Sequence, residues 1–303
     1  MAAETAFPTR PIEITIGFAP GGGTDLGARM IAEYAKKILG ADIVCINKPG
    51  GAGRVAITLI SKGKPDGYSL AATTDGPFIT APHLEEITYK PFEDLTYICQ
   101  YGILNYGISV VPNSPFKTFK EVIEFARANP DKLIIGIVGV NSGDHILLQA
   151  LASFENLKIK FVPFQGAATT MTGLLGGHVM MASTASSGYA PHVKGKTARL
   201  LVTMGEERME QYPDVPTLKE LGYPTLVIQS WYAISGPKNI ENSIVKKLIN
   251  AFGKAMETPE FIKMAKDIET YTKNPLFGQE LREGLIRRNK NNMEMYKKVG
   301  LIK

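Results

Sequence analysis

The chain has 303 residues, 44% of them hydrophobic and 21% charged, a composition that supports a globular protein of two domains. No apolar run approaches the ~18 residues of a membrane helix. The net charge of +5 sits at one end: from Arg282 to Lys303 seven Lys/Arg stand against two Asp/Glu, and the remainder carries 27 of each sign. A basic terminal helix of this kind reads as a solvated face, and no zinc-finger spacing, RNA-binding aromatic signature or basic stripe accompanies it, which excludes nucleic acid as a partner.

In chain order, Met1 to Thr9 is polar and lacks the apolar core of a signal peptide. Ala2-Ala3-Glu4 resembles the small-residue start of a mature secreted chain. Residues 12–18 read as a short buried strand and 24–39 as an amphipathic helix with Leu26, Met30, Ile31, Tyr34 and Ile38 on one face. Between them lies Phe18-Ala19-Pro20-Gly21-Gly22-Gly23-Thr24-Asp25. Glycines at such a junction let the backbone turn tightly and aim its N–H groups outward at the positive end of the helix. The turn is therefore either an anion seat made of backbone or a plain strand-to-helix connection. The dinucleotide pattern G-x-G-x-x-G fails at Leu26, and Ala28-Arg29 replace the Lys-Ser/Thr of a phosphate loop. A small anion such as a carboxylate fits better than a nucleotide.

Further strands are predicted at 42–47, 69–73, 97–100, 106–111, 132–138, 159–163, 178–183, 199–203 and 226–234, with helices at 52–62, 118–128, 143–155, 167–175 and 217–221. Thr118-x-x-Glu121 and Thr217-x-x-Glu220 are capping boxes, and Gly40 and Gly222 sit at helix exits. Three helices close the chain at 241–256, 259–268 and 275–298. Alternation at this spacing means α/β architecture, parallel sheets covered by helices. Cys45 and Cys99, the two cysteines, give neither metal spacing nor a redox pair.

One stretch repeats the opening architecture. Gly139-Val140-Asn141-Ser142-Gly143-Asp144-His145 leaves a buried strand and starts a helix, with Ser142 as N-cap. Two such turns could hold an anion between two helix N-termini, with His145 donating a hydrogen bond or, alternatively, serving as a solvated or core residue.

These residues resemble the receptor family of tripartite tricarboxylate transporters, the Bug-type periplasmic binding proteins. The resemblance rests on Phe7-Pro8-Thr9-Arg10-Pro11-Ile12, on 18–25, on Asn47-Lys48-Pro49-Gly50-Gly51-Ala52-Gly53 and on Pro65-Asp66-Gly67-Tyr68. It continues through Val162-Pro163-Phe164-Gln165-Gly166, Leu175-Gly176-Gly177, Tyr212-Pro213-Asp214-Val215-Pro216-Thr217 and Trp231, covering essentially the whole chain. It implies a two-lobed, type II venus-flytrap fold, each lobe a mostly parallel sheet flanked by helices. Lobe one is expected at 1–107 plus 227–303 and lobe two at 108–226. The implied role is periplasmic: a monomer without cofactor or metal that delivers an organic di- or tricarboxylate to membrane permease subunits.

The same resemblance places the ligand between Ala19–Asp25 and Gly139–His145. Thr74, Asp75 and Gly76 are expected to line lobe one, and Gln165, Gly166, Ser183 and Thr184 lobe two. Asp25, an acid beside an anion, is expected to brace its turn by accepting backbone N–H bonds. The chain departs from the family pattern at Met180-Met181, where relatives have an acidic residue. That pair reads as core packing or, alternatively, as a pliable wall suited to an aromatic or aliphatic dicarboxylate. Two other functions share these features. One is a sensor for a membrane receptor kinase, and the other an enzyme using Asp144 and His145 as acid and base, though no H-E-x-x-H or G-x-S-x-G is present.

Overall fold

The computed structural model describes residues 7–298 and 300–302. The reading of Ala2-Ala3-Glu4 lies outside the described residues. The order is β1 (Ile12–Ile16), α1 (Gly23–Leu39), β2 (Ile43–Asn47), α2 (Arg54–Ser61), β3 (Ser69–Thr74), α3 (Gly76–Ile79), α4 (Ala81–Leu84) and β4 (Leu95–Val110). There follow α5 (Phe119–Ala128), β5 (Leu133–Ile137), α6 (Gly143–Phe154), β6 (Ile159–Pro163), α7 (Ala167–Leu175), β7 (Met181–Ala185), α8 (Ser186–Lys194) and β8 (Arg199–Thr203). β9 (Gln229–Pro237), α9 (Asn242–Met256), α10 (Pro259–Asp267) and α11 (Gly278–Lys298) complete the chain.

Two sheets share one strand. The first has the order β2-β1-β3-β9-β4, and the second pairs β4 with β8 and β7 and continues to β5 and β6. The partner of β4 changes between Asn105, opposite Gln229, and Tyr106, opposite Ala185. This makes the α/β fold two-lobed, with β4 running through both lobes. β1, β2 and β3 are parallel, as are β5, β6 and β7, but β9 runs antiparallel to both β3 and β4 and β7 antiparallel to β4. The sheets are therefore mixed where the chain crosses between lobes.

The central strand β1 shows why local sequence suffices for much of this. Ile12, Ile14 and Ile16, alternate residues that share one face, are fully buried, as the covered face of a central strand requires. α1 covers one side with Ala28, Ile31 and Ala35, and is itself packed against α9. It ends at Gly40, whose φ of 69° returns an N–H to Lys36 O.

Four expectations need correction. The strands at 97–100 and 106–111 are one strand, β4, because residues 101–105 keep pairing with β9 through Gly102 opposite Tyr232. The strand at 178–183 starts later and runs on to Ala185, and the helix α8 follows it directly. No element is predicted between 183 and 199, yet residues 186–194 are helical, with Tyr189 and Ala190 buried. Residues 217–221 form turns rather than a helix, although the capping-box bonds between Thr217 and Glu220 are both made, at 2.8 and 3.1 Å. The one-turn helices α3 and α4 each begin with a proline in the first turn and carry no periodic signal.

Among the described residues no helix is long and apolar enough to cross a membrane. The terminal helix α11 is less solvated than its charge suggests. Arg288 pairs with buried Asp75 at 3.1 Å and lies over the Trp231 ring, and Arg282 donates to Phe92 O at 2.8 Å.

Candidate functional site

The turn before α1 is held from behind. Asp25 accepts the Gly21 N–H at 3.0 Å with one carboxylate oxygen. With the other it accepts Arg29 Nε and Asn47 Nδ2, both at 2.8 Å. Asn47 Nδ2 also reaches Phe18 O at 3.0 Å, tying the strand exit to the helix start. Gly21 adopts φ 86°, a conformation costly for any residue with a Cβ. Asp25 thus faces its own turn as a brace, and α1 enters with no side-chain cap.

Three more helices enter in the same way. α6 begins after Ser142, α7 after Gly166 and α8 after Ala185, each without a side-chain cap bond. All four N-termini meet around one cavity of about 30 Å³, lined by Gly22, Gly23 and Thr24 of α1, Ser142, Ala167, and Ala185 with Ser187. First-turn N–H groups have no backbone acceptor within the helix, so each terminus turns the positive end of its dipole toward the cavity, with the buried Asp25 and Asp144 carboxylates in the first turns of α1 and α6. Its remaining wall comes from Phe18, Val138 and Leu104, and from Thr74, Tyr106 and Tyr232. Among the described residues no cationic side chain lines this cavity.

The two lobes touch across it. Ala19 N–H donates to Gln165 O at 2.9 Å, and Ser187 Oγ and Tyr232 Oη share a hydrogen bond of 2.9 Å. A Cβ added at Gly23 would lie 2.4 Å from Tyr232 Oη and 2.7 Å from Ser187 Cβ. Gly23 is required by this close approach. A second, outer chamber of about 320 Å³ shares Phe18 and Val138 with the first and is lined also by Gly51, Arg54, Gly139 and Gln165. A wider depression of about 690 Å³ elsewhere carries the acidic side chains of Glu206, Glu207, Glu210 and Glu269 beside Arg208 and Lys266.

Of the residues singled out from sequence, Gly22, Gly23, Thr24, Thr74 and Ser142 line the inner cavity, and Gly139 and Gln165 the outer chamber. Asp75 does not line either: its N–H bonds Trp231 O and its carboxylate pairs with Arg288. Burial pushes the Asp75 carboxyl up, and Arg288 opposes the shift. His145 is buried, with Nδ1 accepting the Asn141 N–H at 3.0 Å and its ring edge-on to Phe161. Burial lowers its pKa to about 4, which keeps the ring neutral at physiological pH. Asp144, also fully buried, lies 2.6 Å from Ser142 Oγ and is pushed up to about 6, chiefly by desolvation.

Ser183 and Thr184 are buried within β7, paired against β4. Because that strand runs to Ala185, the side chain delivered to the cavity is Ser187. Met181 is in the core, and Met180 faces a separate surface groove beside His178. Tyr106, Tyr232, Leu104 and Ser187 were not marked by the sequence. Their strand positions read as core, and only the change of partner along β4 turns Tyr106 toward the cavity. Arg54 immediately follows the quoted Gly50-Gly51-Ala52-Gly53 run, which was the available signal.

With this geometry in view, comparison with known proteins is specific. The family model described as the tripartite tricarboxylate transporter family receptor matches residues 27–298. The UPF0065 protein in the gbd 5' region of Cupriavidus necator is 37% identical over all of this chain and 91% of its own length. The structure of the periplasmic binding protein BugD is similar with a TM-score of 0.91 at 26% identity, covering 98% of this chain and 99% of that one. MatC from Rhodopseudomonas palustris with bound malate shares the fold with a TM-score of 0.88 at 24% identity, over 95% and 99% of the two chains.

Proposed function

The chain belongs to the tripartite tricarboxylate transporter receptor family, and from that membership we propose that it is a periplasmic receptor for an organic di- or tricarboxylate. In this reading it delivers its ligand to membrane permease subunits and catalyses nothing. The observation that carries the proposal is the convergence of four helix N-termini, none with an N-cap side-chain bond, on one cavity. Each terminus stabilises an anion by ~0.3–1 kcal/mol when exposed and up to ~2 kcal/mol when partly buried. Charge-assisted hydrogen bonds from their N–H groups and from Thr74, Tyr106 or Ser187 add ~1.5–3 kcal/mol each. Less the ordering cost of closure, micromolar binding is the expected scale.

The acid–base alternative finds little support, because Asp144 and His145 are engaged with Ser142 and Asn141 of their own turn. The lobes we assign to 1–107 plus 227–303 and to 108–226 hinge where β4 changes partner and where the chain returns before β9. A ligand that contacts both lobes then shifts the population toward the closed form.

Mass spectrometry of small molecules released from gently purified, denatured protein should recover a carboxylate. Titration calorimetry with that compound should give a dissociation constant in the micromolar range or below, and Gly23→Val should abolish it, since the added side chain displaces Tyr232 and Ser187. Parent-like affinity in Gly23→Val would rule out the backbone seat.

A further inference from the structure

We infer that Arg54 forms a distal carboxylate subsite in the outer chamber, so that this receptor selects dicarboxylates over monocarboxylates of the same length. The inference rests on the carboxylate-receptor reading and concerns which carboxylates that site prefers. It begins with space. The inner cavity of about 30 Å³ holds roughly two water-sized spheres, room for one carboxylate group and little more. The outer chamber of about 320 Å³ adjoins it, sharing Phe18 and Val138 as lining, and offers room for the rest of a larger ligand.

Among the described residues Arg54 is the single cationic side chain lining either space. Its side chain is 18% exposed, with Nη2 2.7 Å from Glu85 Oε2, and among the described residues no acceptor bonds Nε or Nη1. The guanidinium lies across Gly51, where an added Cβ would come within 3.1 Å of Nε, and Gly51 holds φ 55°. A side chain at 51 would displace it, so the glycine turn cradles the fork at the chamber wall. Glu85 also accepts from Asn141 Nδ2 of the opposite lobe. The arginine is therefore fixed through one nitrogen at the rim, with donors to spare. A planar fork with free N–H groups is the arrangement that receives a second carboxylate. A monocarboxylate tail would instead leave those donors to water.

Calorimetry with succinate, glutarate and adipate against butyrate, pentanoate and hexanoate tests this on the full chain. The parent should favour a dicarboxylate over its matched monocarboxylate by about tenfold or more. Arg54→Gln should lose that preference by weakening the dicarboxylates about tenfold more than the monocarboxylates, with far-ultraviolet circular dichroism matching the parent's to certify its fold. Arg54→Lys, keeping the charge without the fork, should retain part of the preference. Equal weakening of both series in Arg54→Gln, or an unchanged preference, overturns the distal subsite and leaves the receptor reading standing. A parent that binds neither series overturns both.

Discussion

Asp144 and His145, adjacent in the first turn of α6, are shifted in opposite directions by the same cause. Burial raises the carboxyl from 3.8 to about 6 and lowers the imidazole from 6.5 to about 4. The native state holds an extra proton on Asp144 between those values, so this group adds stability as pH falls from 6 toward 4. His145 does the reverse: the unfolded chain is protonated there while the native ring is not, and stability is lost as pH falls from 6.5 to 4. The two contributions cover one window and largely cancel. His145→Asn, whose Oδ1 can still accept the Asn141 N–H, should therefore gain on the order of 2–3 kcal/mol relative to the parent on going from pH 6 to pH 4. Asp144→Asn should lose a similar amount over the same range. Urea unfolding at pH 4, 5 and 6 measures both, and slopes identical to the parent in either variant would refute the assignment.

At the scale of elements, α11 depends on one buried pair. Arg288 reaches Asp75 at 3.1 Å, with side-chain exposures of 20% and 1%, and covers the ring of Trp231. Removing one member of such a pair leaves an uncompensated charge, so Arg288→Met should cost about 3–5 kcal/mol at neutral pH. Asp75 already has its carboxyl raised by burial, and losing the opposing guanidinium raises it further. The variant's native state then takes up a proton that the unfolded chain does not. Its deficit should shrink as the pH is lowered. Trp231, the single tryptophan, reports the change directly. A deficit independent of pH would show that Arg288 acts through packing alone.

For the whole molecule, Ser186, Lys194 and Tyr212 bond Asp267 and Glu269 across the lobes, and a separate set of bonds joins the lobes on the cavity side. They include Ala19 N–H to Gln165 O, the Ser187–Tyr232 pair and the Arg54–Glu85–Asn141 bridge. Net hydrogen-bond contributions of ~0.5–1.5 kcal/mol each make closure a balanced equilibrium that a ligand can tip. Small-angle scattering should show a smaller radius of gyration with saturating carboxylate than without, and an unchanged value would count against the hinge. Because the inner cavity is lined by dipoles and hydroxyls, monocarboxylate affinity should vary little between low and moderate salt. It should fall as the pH drops through the ligand's own carboxyl pKa. A steep salt dependence would mean that cations outside the inner cavity dominate.

By itself the sequence determined the alternation of strands and helices, and the two glycine- and serine-bearing turns at 19–25 and 139–145. Even bounds such as 159–163, 167–175 and 199–203 were legible. These features are written in periodicity, caps and breakers within about ten residues of one another, and local physics suffices to read them. Which side chains line the cavity was decided only by tertiary structure. β4 is shared by two sheets, and its change of partner at Asn105–Tyr106 decides that Tyr106 and Leu104 line the cavity. α8 forms despite Gly188 and Pro191 because Tyr189 and Ala190 are buried, and its start sends Ser187 to the cavity while Ser183 stays inside β7. His145 turned inward, Asp75 was taken by a helix more than 200 residues away, and Arg54 came to the chamber wall. Each of these depends on contacts between segments remote in the chain, whose free energy no local pattern encodes.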